Sequence, residues 1–453
     1  MEKTTVNIRP RKMNVEIEGH QSFLEKHVPF FEKLDEEDRA IETISNQEIN
    51  EFHLEALNST LRHAWENNEF YRKKMIEVGM DSPLIDSLSS LSKVPFLKKT
   101  EIAGDRSKLL CCPTSEVGQV HSTSGTTGKP MYVSYTLADQ FKYDVLPKYP
   151  VLFPDSDEDV VAVCLPYEIA QPGLGFQRVY QFVFGATVIS LGKGGYMAPV
   201  QKSLELMKEY QTTILATTPS YAALLAEESE KLGYKLGDDI ELRRLILTGE
   251  GCSPEFRSRL EELYGCQATF FYGSTECGMI GVECSEQHGY HVVPGHVKVE
   301  IIHPETEKVL NYGDVGEIVV TTLMREGMPI IRYRTGDMGY LMKSTCDAGV
   351  SSDILHLRGR KEHQICLYNE EFSPYLLENF LLQVKDIGLW FEFIISDKEL
   401  TINVERYQTS LSNEQIIDKV EGHISSTLGF NCKVVVKEKI DRTYEKVKRV
   451  YFQ

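Results

Sequence analysis

Between residues 115 and 340, short β-rich runs alternate with amphipathic helical stretches, and this alternation restricts the fold more than any other feature. The β-rich runs include VVAVCL, ATVISL, TTILATT and RRLILTG, and SPEFRSRLEELYG is one of the helical stretches. Strands that alternate with helices form largely parallel sheets that are covered on their faces. Residues 290–340 differ, because VKVEII, GEIVVTT and IIRYRTGD are separated by turn residues. We therefore predict an α/β body of covered mixed sheets with an antiparallel subdomain.

Two segments flank this body. Residues 48–80 carry Phe52, Leu57 and Leu61 at helical spacing, which predicts a helical entry. Beyond residue 359 the chain changes to helices and strands in the order of a small α+β domain. We predict an N-terminal extension at residues 1–47, a large domain at 48–359 and a small C-terminal domain at 360–453.

The formal net charge of −18 over 453 residues argues against nucleic acid or an anionic membrane surface as a partner. No apolar run is long enough to cross a bilayer, and the first twenty residues lack the hydrophobic core of a secretory signal. The ten cysteines are scattered, as is typical of reduced thiols inside the cell. These features predict a cytoplasmic protein and leave its oligomeric state open, a homodimer included.

A loop of hydroxyl groups and glycines surrounds one lysine directly before the strand-like MYVSY. Its residues are Ser122, Thr123, Ser124, Gly125, Thr126, Thr127, Gly128 and Lys129. Glycines let backbone N–H groups turn toward an anion, hydroxyls add donors, and the lysine adds charge, so the loop is suited to a polyphosphate. The Gly-x4-Gly-Lys spacing of a Walker A motif is absent. A flexible loop without a ligand is the alternative interpretation.

The segment STSGTTGKP resembles the phosphate loop of the adenylate-forming superfamily of acyl-CoA synthetases, luciferases and peptide-synthetase adenylation domains. The resemblance covers residues 48–453, and LRHAWENNEFYRKKM, VPFLKKTEI and TTLMREGMPIIRYRTGD are similar to the phenylacetate–CoA ligase branch. It implies an enzyme that uses ATP and Mg²⁺ to convert a small carboxylic acid, aryl or arylacetic, into an acyl-adenylate and pyrophosphate. The acyl group then passes to the thiol of CoA or of a phosphopantetheine arm on an acyl carrier protein.

The same resemblance assigns nucleotide contacts in the large domain. Tyr272 is assigned to the adenine, Asp337 to the ribose hydroxyls, and Glu276 to Mg²⁺ and catalysis, with Thr126 of the loop also catalytic. Further nucleotide contacts are assigned to Gly249, Glu250, Gly273, Ser274 and Thr275. A carboxylate is a hard oxygen ligand suited to Mg²⁺. Taken alone, Glu276 and Asp337 have the simpler interpretation of a loop carboxylate and a turn residue.

Near the C-terminus the resemblance assigns Arg360 to the nucleotide and Glu362 to the pivot about which a mobile small domain rotates. Lys446 matches a lysine that contacts the substrate carboxylate and the α-phosphate, with Lys448 as the fallback. An ammonium group there offsets charge that gathers on the reacting phosphate. A solvated basic tail is the alternative.

The acyl pocket is expected among residues 167–177, 217–221 and 249–251. Tyr167, Phe176 and Tyr221, with Phe271 nearby, are the candidates for its aromatic walls. The alternative is that these rings belong to the ordinary core.

The chain departs from the family at Tyr368-Asn369-Glu370-Glu371, where many relatives carry an Arg-Gly-x-Asn sequence that lines the thiol channel. The acceptor is therefore open between CoA, a carrier-protein arm and an amine, the last of which implies an amide or ester synthetase without thiol transfer. A catalytically silent nucleotide-binding protein is the alternative outside enzymology, and the intact Glu276, Asp337 and Lys446 argue against it.

A zinc site is a further hypothesis, because several relatives carry a structural zinc. The candidate ligands are Cys252, Cys277, Cys284 and His288, with His291 and Cys346 also considered. No standard paired spacing of zinc ligands is visible, so buried inert thiols are the favoured interpretation.

Overall fold

The computed structural model describes residues 3–8, 13–18, 28–105, 107–123, 129–140, 149–367, 370–396, 399–443 and 447–453, with backbone alone for residues 3–8, 13–18, 28 and 29. Its packing forms two compact units. The first unit contains residues 1–192 and 269–357, and the second contains residues 193–268 and 358–453. The domain division at residue 359 stays a prediction.

The α-helices that lie wholly within the described residues are α1 (Val28–Glu36), α2 (Asn46–Asn67), α3 (Glu69–Glu77), α4 (Lys99–Ile102), α5 (Gln171–Arg178), α6 (Val200–Glu209), α7 (Pro219–Lys231), α8 (Pro254–Tyr264), α9 (Pro374–Leu382) and α10 (Asn413–Leu428). A π-helical turn, Val179–Phe184, follows α5 directly. Within the described ranges, none of these helices has both the length and the apolar character needed to cross a membrane.

The strands of the first half of the chain are β1 (Lys3–Ile8), β2 (Met13–Glu18), β3 (Val117–Ser122), β4 (Tyr132–Thr136), β5 (Val160–Cys164), β6 (Thr187–Ser190), β7 (Ile214–Thr217) and β8 (Arg244–Thr248). They are followed by β9 (Ala268–Ser274), β10 (Gly278–Val282), β11 (Tyr290–Val292), β12 (Val297–Ile302), β13 (Gly316–Thr322), β14 (Tyr333–Met342) and β15 (Ile354–Arg360). The last strands are β16 (Ile365–Leu367), β17 (Glu370–Phe372), β18 (Ile387–Ser396), β19 (Glu399–Arg406), β20 (Lys433–Lys437) and β21 (Val450–Phe452).

The first unit contains a series of strands in the order β12-β13-β14-β15-β11-β10-β9. The pairs β12–β13, β13–β14, β11–β15, β10–β11 and β9–β10 are antiparallel. By contrast, β5 and β6 are parallel, and β3 and β4 form an antiparallel hairpin. Every residue of β13 is buried, so this series belongs to the core. The predicted α/β class with mixed sheets and an antiparallel part is confirmed.

The second unit combines a parallel pair with a four-stranded sheet. Strands β7 and β8 are parallel and buried along their whole length. The sheet has the order β20-β19-β18-β21, in which β18 and β19 are antiparallel and both edge strands pair in parallel. With α9 and α10, this sheet gives residues 360–453 the α+β composition that their sequence predicts.

The helical entry starts with a capping box in which Ser45 and Glu48 satisfy each other's backbone N–H groups at the start of α2. Phe52, Leu57 and Leu61 are buried on one face of α2, as their spacing predicts. Asn68 ends α2 and caps α3 with its side chain. The weakly patterned N-terminal extension also contains an antiparallel β1–β2 pair, which the sequence analysis did not predict.

Glu42 is a fully buried carboxyl group in the first unit. Its two oxygens accept hydrogen bonds from the backbone N–H groups of Val151 (2.6 Å) and Leu152 (3.2 Å). Burial raises the pKa of Glu42 to about 7, although the two N–H groups oppose this shift. In the folded chain Glu42 therefore takes up a proton at a pH where the unfolded chain has lost it.

We expect Glu42→Gln to change the pH dependence of stability. Because the pKa of Glu42 is higher in the folded chain than in the unfolded chain, Glu42 adds to the free energy of unfolding at low pH. This contribution is fully present below the unfolded pKa near 4.5 and is lost as the pH rises through about 7. Between pH 4.5 and 8 the free energy of unfolding of the wild type should fall by about 3 kcal/mol relative to that of the variant. Denaturant unfolding at several pH values measures this difference.

Glu48→Gln is the control, because the hydrogen bond from Arg39 lowers the pKa of Glu48 to about 2. The contribution of Glu48 to the free energy of unfolding is present above its unfolded pKa and is lost as the pH falls. Glu48→Gln should therefore change the pH dependence of stability in the direction opposite to Glu42→Gln. A pH-independent difference between wild type and Glu42→Gln would contradict the assignment of Glu42.

Candidate active site

The described ends of the phosphate loop lie at the end of the β3–β4 hairpin. The N–H of Ser122 donates to the carbonyl oxygen of Ile169 (2.9 Å), and the N–H of Thr123 donates to that of Met131 (3.0 Å). The Thr123 hydroxyl accepts from the N–H of Met131 (2.9 Å), and Lys129 is exposed at the other end. The hairpin thus fixes the base of the loop. Ser124, Gly125, Thr126, Thr127 and Gly128 lie outside the described residues.

Ile169 links this hairpin to the predicted acyl segment at residues 167–177. Its φ angle is 41°, in the left-handed region that a β-branched residue rarely adopts. Its side chain is exposed, so burial of that side chain does not compensate for the strain. Backbone strain of this kind concentrates at functional sites. The strained carbonyl group is the one that holds Ser122.

Tyr135 on β4 connects the hairpin to the second predicted motif. Its hydroxyl donates to the carbonyl oxygen of Thr275 (3.3 Å). The guanidinium carbon of Arg325 lies 4.0 Å from the centroid of the Tyr135 ring, and the His121 ring meets it edge-on at 5.4 Å. Burial lowers the pKa of His121 to about 4, so its imidazole is neutral near pH 7. The Tyr135 ring is therefore held between a cation and a neutral ring.

Glu276 is fixed at both its backbone and its carboxylate. The residue is 7% exposed, its Oε1 accepts from the hydroxyl of Tyr333 (3.2 Å), and Arg325 donates to its carbonyl oxygen. Gly273 is required nearby, since a Cβ there would lie 2.6 Å from the carbonyl oxygen of Gly278. A carboxylate oriented in this way has the chemistry of an Mg²⁺ ligand.

Asp337 on β14 is joined to Tyr272 on β9. The Tyr272 hydroxyl donates to Asp337 Oδ2 at 2.7 Å across 65 positions of sequence. The N–H of Asp337 donates to the Thr335 hydroxyl (3.0 Å), and the Ser274 hydroxyl accepts from the N–H of Cys277 (3.1 Å). The residues predicted to bind adenine and ribose therefore contact each other directly.

Aromatic rings cluster beside this region of the first unit. The centroids of Phe176 on α5 and Phe271 on β9 are 5.2 Å apart, and Phe153 lies 5.2 Å from Phe271. Tyr180, in the π-helical turn, stacks on Phe176 at 6.4 Å, and Tyr167 is partly buried. π-Helical turns are frequent at functional sites. The sequence analysis did not predict the ring contacts of Phe153 and Tyr180, because hydrophobic spacing does not show which distant side chains meet.

Tyr221, Gly249 and Glu250 belong to the second unit. Because β7 and β8 are parallel, their carboxyl ends meet at one edge, where Thr218 follows β7 and residues 249–251 follow β8. The Thr218 hydroxyl accepts from the N–H of Tyr221 (3.3 Å). The N–H of Ser220 donates to Glu250 Oε2 (3.3 Å). The two predicted segments 217–221 and 249–251 therefore meet.

Lys193, which sequence reasoning missed, lies beside Glu250. Its Nζ is 3.8 Å from Glu250 Oε1 and 5.7 Å from the centroid of the Tyr221 ring. The Lys193 side chain is 8% exposed and that of Glu250 is 12% exposed. The signal in the sequence is a charged residue inside the glycine run Gly192–Gly195.

Helix α9 fixes the loop that follows β8 within the second unit. A Cβ on Gly251 would lie 2.0 Å from the hydroxyl oxygen of Tyr375, so a larger residue there would displace the Tyr375 ring. The N–H of Ser253 donates to the buried carboxylate of Glu378 (2.6 Å). These contacts hold the backbone on the C-terminal side of Glu250.

Three further residues predicted in the C-terminal segment lie at the surface. Arg360 ends β15 and is exposed, as are Glu362 and Lys448. Lys446 and the pair Tyr368-Asn369 lie outside the described residues. The role of Lys446 stays a prediction.

Cys284, His291 and Cys346 converge in the first unit. One potential ligand atom from each lies within 4.8 Å of the others, and the two sulfur atoms are 3.4 Å apart. In a tetrahedral zinc site with Zn–S distances near 2.3 Å, two sulfurs stand roughly 3.8 Å apart, so the arrangement fits three ligands. His291 Nδ1 is 3.4 Å from the carbonyl oxygen of Ser352, which leaves Nε2 as the ligand atom.

The other zinc candidates do not join this trio in the described part of the chain. His288 is exposed beside Glu286, with 3.5 Å between Nδ1 and Oε2. Cys277 is buried in the turn that carries Glu276. Cys252 belongs to the second unit.

Comparisons with known proteins agree with this geometry. Residues 90–324 match a family model described as AMP-binding enzyme. The chain is 31% identical over 433 residues to the phenylacetate–coenzyme A ligase of Aromatoleum evansii, with 90% of this chain and 96% of that protein covered. It is 28% identical over 410 residues to the corresponding ligase of Thermus thermophilus, with 84% and 87% covered.

A solved structure of 2-hydroxyisobutyryl-CoA ligase, in its postadenylation state with an acyl-AMP, has the same fold, with a TM-score of 0.84 at 22% identity and 91% of each chain covered. The family model spans more than half of this chain, and the relatives are similar over most of its length. The chain therefore belongs to the AMP-binding family of adenylate-forming enzymes, in its phenylacetate–coenzyme A ligase branch, and is an AMP-forming acid–thiol ligase.

Proposed function

We propose that this ligase activates an aryl or arylacetic acid and transfers its acyl group to CoA in the cytoplasm. In the first step, a carboxylate oxygen of the acid attacks the α-phosphorus of ATP, and the bond to pyrophosphate breaks. In the second step, the thiolate sulfur of CoA attacks the acyl carbonyl carbon, and AMP leaves. The single observation that supports this proposal most strongly is the 2.7 Å hydrogen bond between Tyr272 and Asp337, which joins the two motifs assigned to one nucleoside.

The predicted site residues have distinct parts in this proposal. Asp337 accepts hydrogen bonds from the ribose hydroxyls, and the Tyr272 ring covers the adenine. Glu276 holds Mg²⁺, which supplies charge compensation for the phosphates when it is bound. The loop at residues 122–129 donates to the phosphates, and Lys446 donates to the carboxylate and the α-phosphate. Fixing both reactants in this way replaces a bimolecular encounter by a unimolecular step.

The aromatic cluster supports an aryl group on the acid. Phe153, Phe176 and Phe271 present ring faces and edges at centroid distances of 5.2 Å, which suits the packing of a further ring. The acceptor is CoA in this proposal, because relatives that cover most of the chain are coenzyme A ligases. A carrier-protein arm or an amine would replace it only if CoA failed as acceptor.

A panel of aryl, arylacetic, fatty and amino acids tests the proposed substrate class. Pyrophosphate release should depend on an aryl or arylacetic acid, ATP and Mg²⁺, and mass spectrometry should detect the acyl-CoA. A preference for fatty or amino acids would contradict the aryl assignment. An amide product formed in preference to the thioester would contradict CoA as acceptor.

We further propose that Cys284, His291 and Cys346 hold a zinc ion, with solvent as the fourth ligand. Thiolate and imidazole are the ligand types that zinc prefers, and their convergence within 4.8 Å supports this assignment. The zinc ion would join the β10–β11 region to the segment before β15 and would contribute to the stability of the first unit.

We expect the purified chain to contain about one zinc ion and Cys284→Ser to contain several times less, because structural zinc sites need their thiolate ligands. Elemental analysis by mass spectrometry measures the metal content. Cys366→Ser is the matched control, since Cys366 is an exposed thiol of the second unit. Equal zinc content in both variants, or none in the wild type, would contradict the proposed site.

A further inference from the structure

Arg325 is a fully buried arginine of the first unit. Its Nη1 donates to the carbonyl oxygen of Glu276, and its guanidinium carbon lies 4.0 Å from the centroid of the Tyr135 ring. Removing a charged group from water is costly, and an apolar side chain of similar volume would often fill the same space at a lower cost. The position of Arg325 therefore calls for a role of the guanidinium group itself.

The backbone on both sides of Arg325 is held in place. Met324 has a φ angle of 55°, in the left-handed region that residues with bulky side chains rarely adopt. On the other side, the buried carboxylate of Asp139 accepts from the N–H groups of Glu326 (2.8 Å) and Gly327 (3.0 Å). Strained backbone persists only where the surrounding structure holds it, and it concentrates at functional sites. The fold thus fixes the point from which the guanidinium group reaches the next strand pair.

The turn between β9 and β10 is what this group reaches, and three side chains of the first unit hold that turn. Arg325 donates to the carbonyl oxygen of Glu276, and the Tyr135 hydroxyl donates to that of Thr275 (3.3 Å). The Tyr333 hydroxyl donates to Glu276 Oε1 (3.2 Å). Two successive peptide groups and the carboxylate that follows from them are therefore fixed together. Because the Tyr135 ring also packs on the guanidinium group, the backbone contacts form one assembly.

We propose that Arg325 is a positioning residue that orients Glu276 and so determines how tightly the enzyme binds its divalent cation. This inference rests on the proposed function, in which Glu276 holds Mg²⁺. A metal ligand depends on the groups that orient it, and loss of such a group commonly lowers the metal affinity by about tenfold to a hundredfold. Arg325 acts on the backbone of Glu276, and Tyr135 supports both the guanidinium group and the preceding peptide group.

Binding of Mn²⁺ to the intact enzyme tests this role without turnover. Mn²⁺ is paramagnetic and takes the same oxygen ligands as Mg²⁺, so electron paramagnetic resonance measures its Kd in the presence of a non-hydrolysable ATP analogue. Arg325→Met should raise this Kd by about tenfold. Arg325→Lys keeps the charge without the forked donors and should raise it by only about threefold. Tyr135→Phe, which keeps the ring and removes one hydroxyl, should also raise it by about threefold and tests the assembly even if Arg325→Met does not fold.

A double-mutant cycle shows whether Arg325 acts through Glu276. Glu276→Gln should weaken Mn²⁺ binding by itself. In that background Arg325→Met should weaken it further by less than about twofold, because the carboxylate that Arg325 orients is already gone. A general effect of Arg325 on the fold would instead multiply in full with the effect of Glu276→Gln.

Arg259→Met is the matched control. Arg259 is also a buried arginine that donates to backbone carbonyl oxygens, those of Ile387 (2.6 Å) and Val384 (2.7 Å), but it belongs to the second unit. This variant should lower Tm and leave the Kd for Mn²⁺ within about twofold of the wild type, as expected for sites that share no contacts.

Two results would overturn the proposal while leaving the proposed function intact. One is a Kd for Mn²⁺ that stays unchanged in Arg325→Met and Tyr135→Phe, or that rises equally in Arg259→Met. The other is full multiplication of the effects of Arg325→Met and Glu276→Gln. An unchanged Kd in Glu276→Gln would instead overturn the assignment of Glu276 in the proposed function, and this inference with it.

Discussion

Replacing Glu276 by glutamine is expected to lower the rate of acid-dependent pyrophosphate exchange by about a thousandfold and to shift its Mg²⁺ dependence to higher concentration. The carboxylate is 7% exposed and is oriented by the Tyr333 hydroxyl at 3.2 Å, so an amide can occupy the same space without rearrangement. The amide retains one oxygen ligand but loses the charge that attracts a hard divalent cation. Exchange rates measured over a titration of Mg²⁺ report both effects.

Tyr333→Phe separates the role of orientation from that of charge. This variant removes the hydroxyl that donates to Glu276 Oε1 and leaves the carboxylate in place. One lost hydrogen bond is worth about 1 kcal/mol, so the exchange rate should fall only about fivefold. A Glu276→Gln variant with wild-type exchange and an unchanged Mg²⁺ dependence would remove Glu276 from the active site.

Replacing Asp337 by alanine is expected to lower kcat/KM for ATP by about 300-fold, because the ribose loses two hydrogen bonds to a charged acceptor, each worth roughly 1.5–3 kcal/mol. Tyr272→Phe removes only the hydroxyl that donates to Asp337 Oδ2 at 2.7 Å. It should lower kcat/KM for ATP by about fivefold. KM for the acid should change little in both variants. Steady-state kinetics with ATP and the acid varied separately measures these effects.

Asp353→Ala provides the matched control for Asp337. Asp353 also accepts a hydrogen bond from a tyrosine hydroxyl at 2.7 Å, that of Tyr312, at an exposed position of the first unit. Loss of this second tyrosine–aspartate pair should leave kcat/KM for ATP within about twofold of the wild type, as is usual for surface substitutions. If Asp337→Ala and Asp353→Ala lowered kcat/KM for ATP equally, the effect of Asp337→Ala would come from reduced stability and not from lost ribose binding.

The sequence predicted those parts of the molecule that have a periodic or contiguous signal. The spacing of Phe52, Leu57 and Leu61 predicted the buried face of α2. Alternating β-rich and helical runs predicted the α/β class, because each run is long enough to show its period. The contiguous motif at residues 122–130 led to the family, which similarity over most of the chain confirms.

Contacts between distant side chains had no such signal. Cys284 and Cys346 approach to 3.4 Å across 62 positions, and no local pattern indicates their partnership. Lys193 stands in a glycine run that suggests a flexible loop, yet the fold buries it against Glu250. Tyr180 follows α5 with ordinary helical spacing, and the switch to a π-helical turn depends on packing. These features could not be predicted from the sequence, because contacts between residues far apart in the chain determine them.

In the proposed first step, the carboxylate of the acid attacks the α-phosphorus of ATP at the site to which Tyr272, Glu276 and Asp337 are assigned. The most direct measurement uses an acid whose carboxylate carries heavy oxygen, with mass spectrometry of the AMP, phosphate and thioester formed with CoA. Attack at the α-phosphorus predicts that AMP gains one heavy oxygen atom, while inorganic phosphate gains none. Heavy oxygen in phosphate, with ADP as the nucleotide product, would contradict activation of the acid as an acyl-adenylate.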